Sequence, residues 1–195
     1  MSAKLDFTES EVNDFFDSLY YPDKISTKEF FFDDINCLIG HIVHYLDNPT
    51  PLKVQKSLYF LWAFYAATYG NIDYEEETEF SQQDEYPRSL FKANFEARHY
   101  GPVLDSVFAD YHHSGGFKEL PDGHIVSDDS DSNTKEVWSF IDDLLFQINE
   151  VNDFGLVERS QQDSAWKNAY IEGQYQCKMN NEEIKEDYVK YVRNK

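Results

Sequence analysis

The sequence predicts a mostly α-helical domain, compact around one buried central helix and carrying a small β-hairpin. Three observations carry that prediction. Pro51 to Gly70, PLKVQKSLYFLWAFYAATYG, is apolar or aromatic at almost every position from Leu58 to Tyr69. A surface helix shows a single apolar stripe, whereas a helix apolar nearly all round is a buried one. Lys135 to Val151 places Val137, Phe140, Ile141, Leu144, Leu145, Ile148 and Val151 at strict three-four spacing, the mark of an amphipathic helix. Pro121-Asp122-Gly123 between two short segments, Phe117 to Leu120 and His124 to Val126, reads as the turn of a hairpin.

The elements follow in order. Thr8-Glu9-Ser10-Glu11 is a capping box, and Val12, Phe15, Phe16 and Leu19 then share one helical face until Tyr21-Pro22-Asp23. Phe30-Phe31-Phe32 suits a strand or a buried connector. Asp33 or Asp34 can cap a helix to Leu46, whose apolar face holds Leu38, Ile42, Tyr45 and Leu46. Asp47-Asn48-Pro49 stops it, and the short connection predicts antiparallel packing on the next helix. That next helix is the central one. Proline fits its first turn and glycine its end. At 1.5 Å per residue it spans roughly 27 Å, too short and too aromatic for a membrane span.

Leu90 to Ala97 fits a strand or a helical turn. Pro102 predicts a helix start, with Val103, Val107, Phe108 and Tyr111 inward and Ser114-Gly115-Gly116 as its end. After an acidic loop, Ser127 to Asn133, comes the amphipathic helix. Phe154-Gly155-Leu156 reads as a turn. Ser160 is placed to cap a short helix carrying Trp166, Ala169 and Tyr170. Asn181 is placed to cap a last helix with Ile184, Tyr188, Tyr191 and Val192 on one side. The organisation expected is an N-terminal helix and connector over 1–33, then one helical domain over 34–195 with an acidic insert at 71–87.

With 17 Lys and Arg against 37 Asp and Glu, the net charge is −20. Direct binding of free nucleic acid is disfavoured, because it requires neutralising phosphates with cationic side chains. A basic protein partner suits the charge, which would steer its capture in a salt-dependent way; solubility alone is the plainer role. Cys37 and Cys177 form no disulfide framework, and MSAKLDFTESE lacks a signal-type apolar run. A cytoplasmic protein without membrane attachment is expected.

Residue patterns for catalysis are weak. No phosphate-binding glycine loop, nucleophile elbow or dinucleotide fingerprint occurs. His41 and His44 lie one turn apart without further ligands, and His112, His113 and His124 have nothing to fix their geometry, so no metal site is expected. Asp128-Asp129-Ser130-Asp131 is too short for a calcium loop. No cofactor and no enzymatic activity are expected.

Several segments, in order, resemble one family. PLKVQKSLYF looks like the "LKLQKLLYF" signature of the Panacea domain, the group containing the phage-associated GepA and SocA-like proteins. Leu90-Phe91, Phe95-Glu96-Ala97 and Tyr100-Gly101-Pro102-Val103 resemble its "LF…FEAWxYGPV" segment. Ser160 to Trp166 resembles "THxxxPW", and Glu182 to Tyr188 resembles the closing "EEIxxY" helix. The resemblance runs from about Asp34 to the C-terminus. It implies a mostly helical fold and a binding role: antitoxins of this family neutralise toxins by direct contact, and SocA-like members deliver a toxin to a protease. This chain departs at Arg98 for tryptophan, Ser160-Gln161 for Thr-His, Ala165 for proline, and in the acidic insert. The missing histidine argues further against chemistry at that position.

The candidate partner-binding residues fall in two groups. Lys53, Gln55, Lys56 and Ser57 are polar residues in a helix otherwise set for burial, where they must reach solvent or find partners. They read either as a solvated first turn with structural hydrogen bonds or, with Tyr59 and the turn at Tyr100, as one side of a groove for a partner. Trp166 suits the core or an interface anchor. The insert holds seven acids and no base, with Tyr74, Phe80 and Tyr86 interleaved. It is either a solvated loop or a docking segment in which Glu75, Glu76, Glu77, Asp84 and Glu85 steer a basic partner and Phe80 anchors it. The expected function is a non-enzymatic antitoxin binding a basic toxin. Its alternatives are a phage counter-defence nucleic-acid mimic blocking a host nuclease and an adaptor for proteolysis.

Overall fold

The computed structural model describes residues 29–71, 86–117 and 131–194. The N-terminal helix, the 117–126 hairpin beyond Phe117 and most of the acidic insert, including Glu75, Glu76, Glu77, Phe80, Asp84 and Glu85, lie outside the described residues.

The protein is mostly α-helical. Strand β1 (Phe30–Phe32) leads into α1 (Ile35–Tyr45), and α2 (Pro51–Ala67) is the central helix. A 3-10 turn, Tyr69–Asn71, closes α2. Three short strands follow, β2 (Ser89–Phe91), β3 (Phe95–Arg98) and β4 (Gly101–Leu104). Helices α3 (Asp105–Ser114), α4 (Ser132–Asn149), α5 (Asp153–Ser160), α6 (Ser164–Ala169) and α7 (Asn181–Arg193) complete the chain. No helix among the described residues is long and apolar enough to cross a membrane.

Helix α2 holds the centre. It packs against α1, α3, α4, α5 and α7 and against β2 and β4. Val54, Leu58, Leu61 and Ala63 are wholly buried, and no face of the helix is left open to water over its middle turns. Thr50 starts it: its hydroxyl accepts from Lys53 N at 3.0 Å and donates to Asp153 Oδ2 at 2.5 Å, so the cap also ties α2 to α5. The end comes before Gly70 because the last turn tightens into 3-10 geometry, with Thr68 N donating to both Phe64 O and Tyr65 O. Gly70 faces Arg88 O so closely that a Cβ would lie 2.3 Å from it, which is why the chain can pass the β2 approach there.

Aromatic rings join the parts. Tyr59 meets Phe95 edge-on at 5.2 Å, and Phe64 meets Tyr188 at 4.7 Å. Strand β1 pairs parallel with β2, Phe30 opposite Ser89 and Phe32 opposite Phe91. Strands β3 and β4 form an antiparallel hairpin, Phe95 opposite Leu104 and Arg98 opposite Gly101. Beside β3, Ala97 N donates to Cys177 O and Met179 N donates to Phe95 O, so the chain before α7 extends that sheet.

Several local expectations are corrected. The helix expected at Pro102 starts at Asp105, because residues 101–104 are used for pairing with β3. Phe108, expected inward, is 39% exposed, while Val107 is buried. Phe154-Gly155-Leu156 lies inside α5 rather than in a turn: Asn152 caps that helix by accepting from Gly155 N. Ser160 ends α5, and its hydroxyl donates to Val157 O at 2.8 Å. Asp163, not Ser160, precedes α6, and Asn180, not Asn181, caps α7, while Asn181 reaches Ala93 O. Asp34 is the cap of α1.

Candidate functional site

The polar residues of α2 resolve first. Lys53 Nζ donates to Asn149 O at 2.9 Å, a carbonyl at the C-terminal end of α4. Gln55 makes a reciprocal pair with β4: its Nε2 donates to Leu104 O at 3.2 Å, and its Oε1 accepts from Leu104 N at 2.9 Å. The side chain thus replaces a neighbouring strand on that edge, which would otherwise leave buried backbone groups unmatched. Ser57 Oγ donates to Lys53 O at 2.9 Å. Lys56 is wholly buried, and Nζ donates to Pro102 O at 2.7 Å. Burial pulls its pKa from 10.5 to about 7, because desolvation disfavours the ammonium.

Tyr59, also wholly buried, donates to Asp163 Oδ2 at 2.7 Å. Tyr188 donates to the same oxygen at 3.0 Å, and Arg159 Nη1 donates to Asp163 Oδ1 at 2.6 Å. Burial raises the Asp163 pKa; the bonds from Tyr59 and Arg159 oppose the rise without cancelling it. Burial also raises Tyr59 and Tyr188 well above the ordinary phenol value. With Asp163 occupied in this way, Asp187 from α7 supplies the bond at the start of α6, its Oδ2 accepting from Ala165 N at 2.9 Å. The result is a closed polar knot joining α2, α5, α6 and α7, with Tyr59, Tyr188 and Arg159 all donating to the Asp163 carboxylate.

These findings correct the assignment of Lys53, Lys56 and Tyr59 to a partner-binding surface. Lys53 is 6% exposed, and Lys56 and Tyr59 are not exposed at all. Their polar ends are engaged in intramolecular bonds. The first of the two readings of this turn, structural hydrogen bonding, describes them, but without the solvation it included.

Tyr100 is different. It is 54% exposed at the tip of the β3–β4 hairpin. The tip is held by residues from the α5–α6 region: Trp166 Nε1 donates to Arg98 O at 3.2 Å and Gln161 Nε2 donates to His99 O at 2.8 Å. Gly101 is what lets the chain turn here. Its φ is +84°, and a Cβ would lie 2.5 Å from Ser160 Oγ and 3.0 Å from Lys56 Cε. Arg98 is paired with Glu96 at 2.9 Å and with Asp105, and its guanidinium lies 5.2 Å from the centre of the Phe108 ring.

Around this tip lies a groove of about 640 Å³, lined by Leu52, Tyr100, Phe108, Tyr170, Glu172 and Tyr175 among others. Gln55 lies at its floor, so the first turns of α2 do reach it, through Leu52 and Gln55 rather than through the lysines. Trp166 stacks on Tyr170 at 4.6 Å and 14° and is half-buried; it supports the groove's wall from behind. Tyr175, on the loop after α6, is 85% exposed. The next residue, Gln176, holds a left-handed backbone at φ +61°, a conformation that costs a side-chain-bearing residue about 1 kcal/mol. Sequence reasoning missed Tyr175 and Phe108, because neither lies in a quoted motif and Phe108 falls on an expected inward face.

Of the insert, Tyr86 is described. It is buried against Tyr69, ring centres 4.6 Å apart, and its hydroxyl donates to Glu136 Oε2 at 2.7 Å. This end of the insert docks on the protein itself. Among the histidines, His41 Nε2 donates to Asp142 Oδ1 at 2.6 Å and His113 Nδ1 donates to Ala109 O at 2.9 Å. No group of three or more His, Cys, Asp or Glu side chains among the described residues is arranged to hold a metal ion. Comparison with known protein families, with curated proteins and with solved structures finds no match to this chain.

Proposed function

We propose that this chain is a non-enzymatic neutraliser that binds a basic protein partner through the groove around Tyr100. The observation that carries the reading is the concentration of exposed aromatic surface there: Tyr100 at 54%, Phe108 at 39% and Tyr175 at 85%. Rings held in water on a rigid frame are the side chains that make hot spots when a partner desolvates them. The frame is rigid because the hairpin tip is bonded to Trp166 and Gln161 and locked by Gly101. The chain's charge of −20 favours a basic partner, and Arg98 at the groove is already matched by Glu96 and Asp105. The resemblance to Panacea antitoxins supplies the version we favour, a toxin held by direct contact with its working surface covered.

The test uses wild type and a Tyr100→Ala/Tyr175→Ala variant as baits in host extract, followed by reconstitution with the purified captured protein. Both positions are exposed, so folding is not at issue. The expected result is a basic protein that wild type retains at low salt and releases as salt is raised, and that the variant binds at least tenfold more weakly, or ~1.4 kcal/mol. Co-expression with wild type should relieve growth inhibition by that protein. A captured protein that binds the variant equally well, or that is acidic, overturns the proposal. Faster degradation of the captured protein would identify an adaptor, and competition with nucleic acid would identify a mimic.

A further inference from the structure

A different groove, also about 640 Å³, runs along α4 where α2, α5 and α7 meet it. Its floor is apolar: Phe60, Phe64, Leu144, Ile148 and Leu156. The amphipathic stripe of α4 is wider than the core requires. Val137, Ile141 and Leu145 are buried away from it, while half-buried Phe140 and Leu144, with buried Ile148, line this groove. Its outer edge is a row of exposed polar residues at helical spacing, Glu136, Ser139, Asp143 and Gln147. From Glu136 to Gln147 that edge is roughly 16 Å long at 1.5 Å per residue, about three helical turns.

The exposed edge of the groove is acidic. Glu136 and Asp143 stand on the edge, and the cation lining the groove, Arg159, is engaged at 2.6 Å by Asp163. Tyr69 lines one end, packed on Tyr86 with ring centres 4.6 Å apart.

We propose that this groove is a second docking site, taking an amphipathic α-helix from a protein partner: apolar face on Phe64, Phe140 and Leu144, basic flank along Glu136 and Asp143. The groove's length matches a helix of three to four turns, the mode in which an apolar face lies in a hydrophobic trough with anchors at i, i+3, i+4 and i+7. A second copy of this chain fits worse, because it would bring another −20 charges against the same acidic edge.

The test titrates full-length protein with a synthetic helical peptide of leucine and lysine at amphipathic spacing, followed by fluorescence anisotropy. A peptide of the same composition in scrambled order is the control for charge alone. Ser139→Trp, on the exposed edge, should block the trough, and Asp143→Lys/Gln147→Lys should reverse its edge. Each is expected to weaken binding about tenfold or more. Tyr100→Ala, in the other groove, should leave it unchanged, so this site can fail while the first stands. Equal binding of the scrambled peptide, or binding unaffected by Ser139→Trp, overturns the proposal. Absence of peptide binding together with dimerisation abolished by Ser139→Trp also overturns it, in favour of a second copy.

Discussion

Lys56 puts an amine where no carboxylate among the described residues answers its charge. Its pKa falls from 10.5 to about 7 through burial. Between those two values the unfolded chain holds a proton that the folded chain has released. Stability therefore rises with pH across that window and carries the full penalty below about 7. Lys56→Met removes the titration but leaves Pro102 O without its donor, a cost that does not vary with pH. The stability difference, variant minus wild type, should therefore fall as pH rises from 7 to 10.5, by up to ~5 kcal/mol at about 1.4 per unit. Urea unfolding of both proteins across the window measures it; a constant difference would show that Lys56 keeps its proton when folded. The need for partners was legible in the sequence, since four polar residues in so apolar a helix must be satisfied. Which partners was not. Gln55 finds a strand edge and Tyr59 finds Asp163, 104 residues further along, and no local pattern encodes such pairs.

At the scale of elements, two glycines separate two costs that are usually mixed. Gly115 ends α3 with φ +71° and has nothing within 4 Å of a built Cβ. Gly101 has φ +84° and would meet Ser160 Oγ at 2.5 Å. Gly115→Ala should cost about 1 kcal/mol, the strain of a left-handed backbone. Gly101→Ala adds overpacking against α2 and α5 and should cost ~2–4 kcal/mol. Denaturant unfolding of both variants checks this; equal losses would mean that Ser160 and Lys56 move aside freely. The element boundaries show what the chain's pattern can carry. Helices α2 and α4 were legible because burial and periodicity extend over four or five turns. The three residues before α3 were not, because a proline that fits a first helical turn fits an edge strand equally well. Phe154-Gly155 looked like a turn because glycine is weak inside a helix, yet α5 accommodates it with its N–H on the Asn152 cap. Of the groove at Tyr100, that residue was legible through its resemblance to a family segment, but the hairpin it tips was not, Lys53 and Lys56 are buried, and Tyr175 arrives from a loop without a motif.

Over the whole molecule, the net charge of −20 acts on two equilibria with opposite sign. Folding gathers like charges into a smaller volume, and self-repulsion opposes it. Salt screens that repulsion over a Debye length of about 10 Å at 0.1 M. The described ion pairs would lose a little by the same screening, but the pair most engaged in the fold, Arg159 with Asp163, is held in a largely buried knot and is screened least. Added potassium chloride should therefore stabilise the protein, by ~1 kcal/mol or about 2–4 °C in Tm for a chain of this size. A basic partner reverses the sign: the same salt should weaken its complex, because there the charges attract. Thermal unfolding of the protein alone and of the protein with the leucine-lysine peptide, each across a salt series, puts both effects on one axis. The curve for the free protein should rise, and the extra stabilisation given by the peptide should shrink. A Tm that falls with salt in the free protein would mean that internal ion pairs outweigh the net charge. A peptide contribution indifferent to salt would mean that the acidic edge of α4 has no part in holding it.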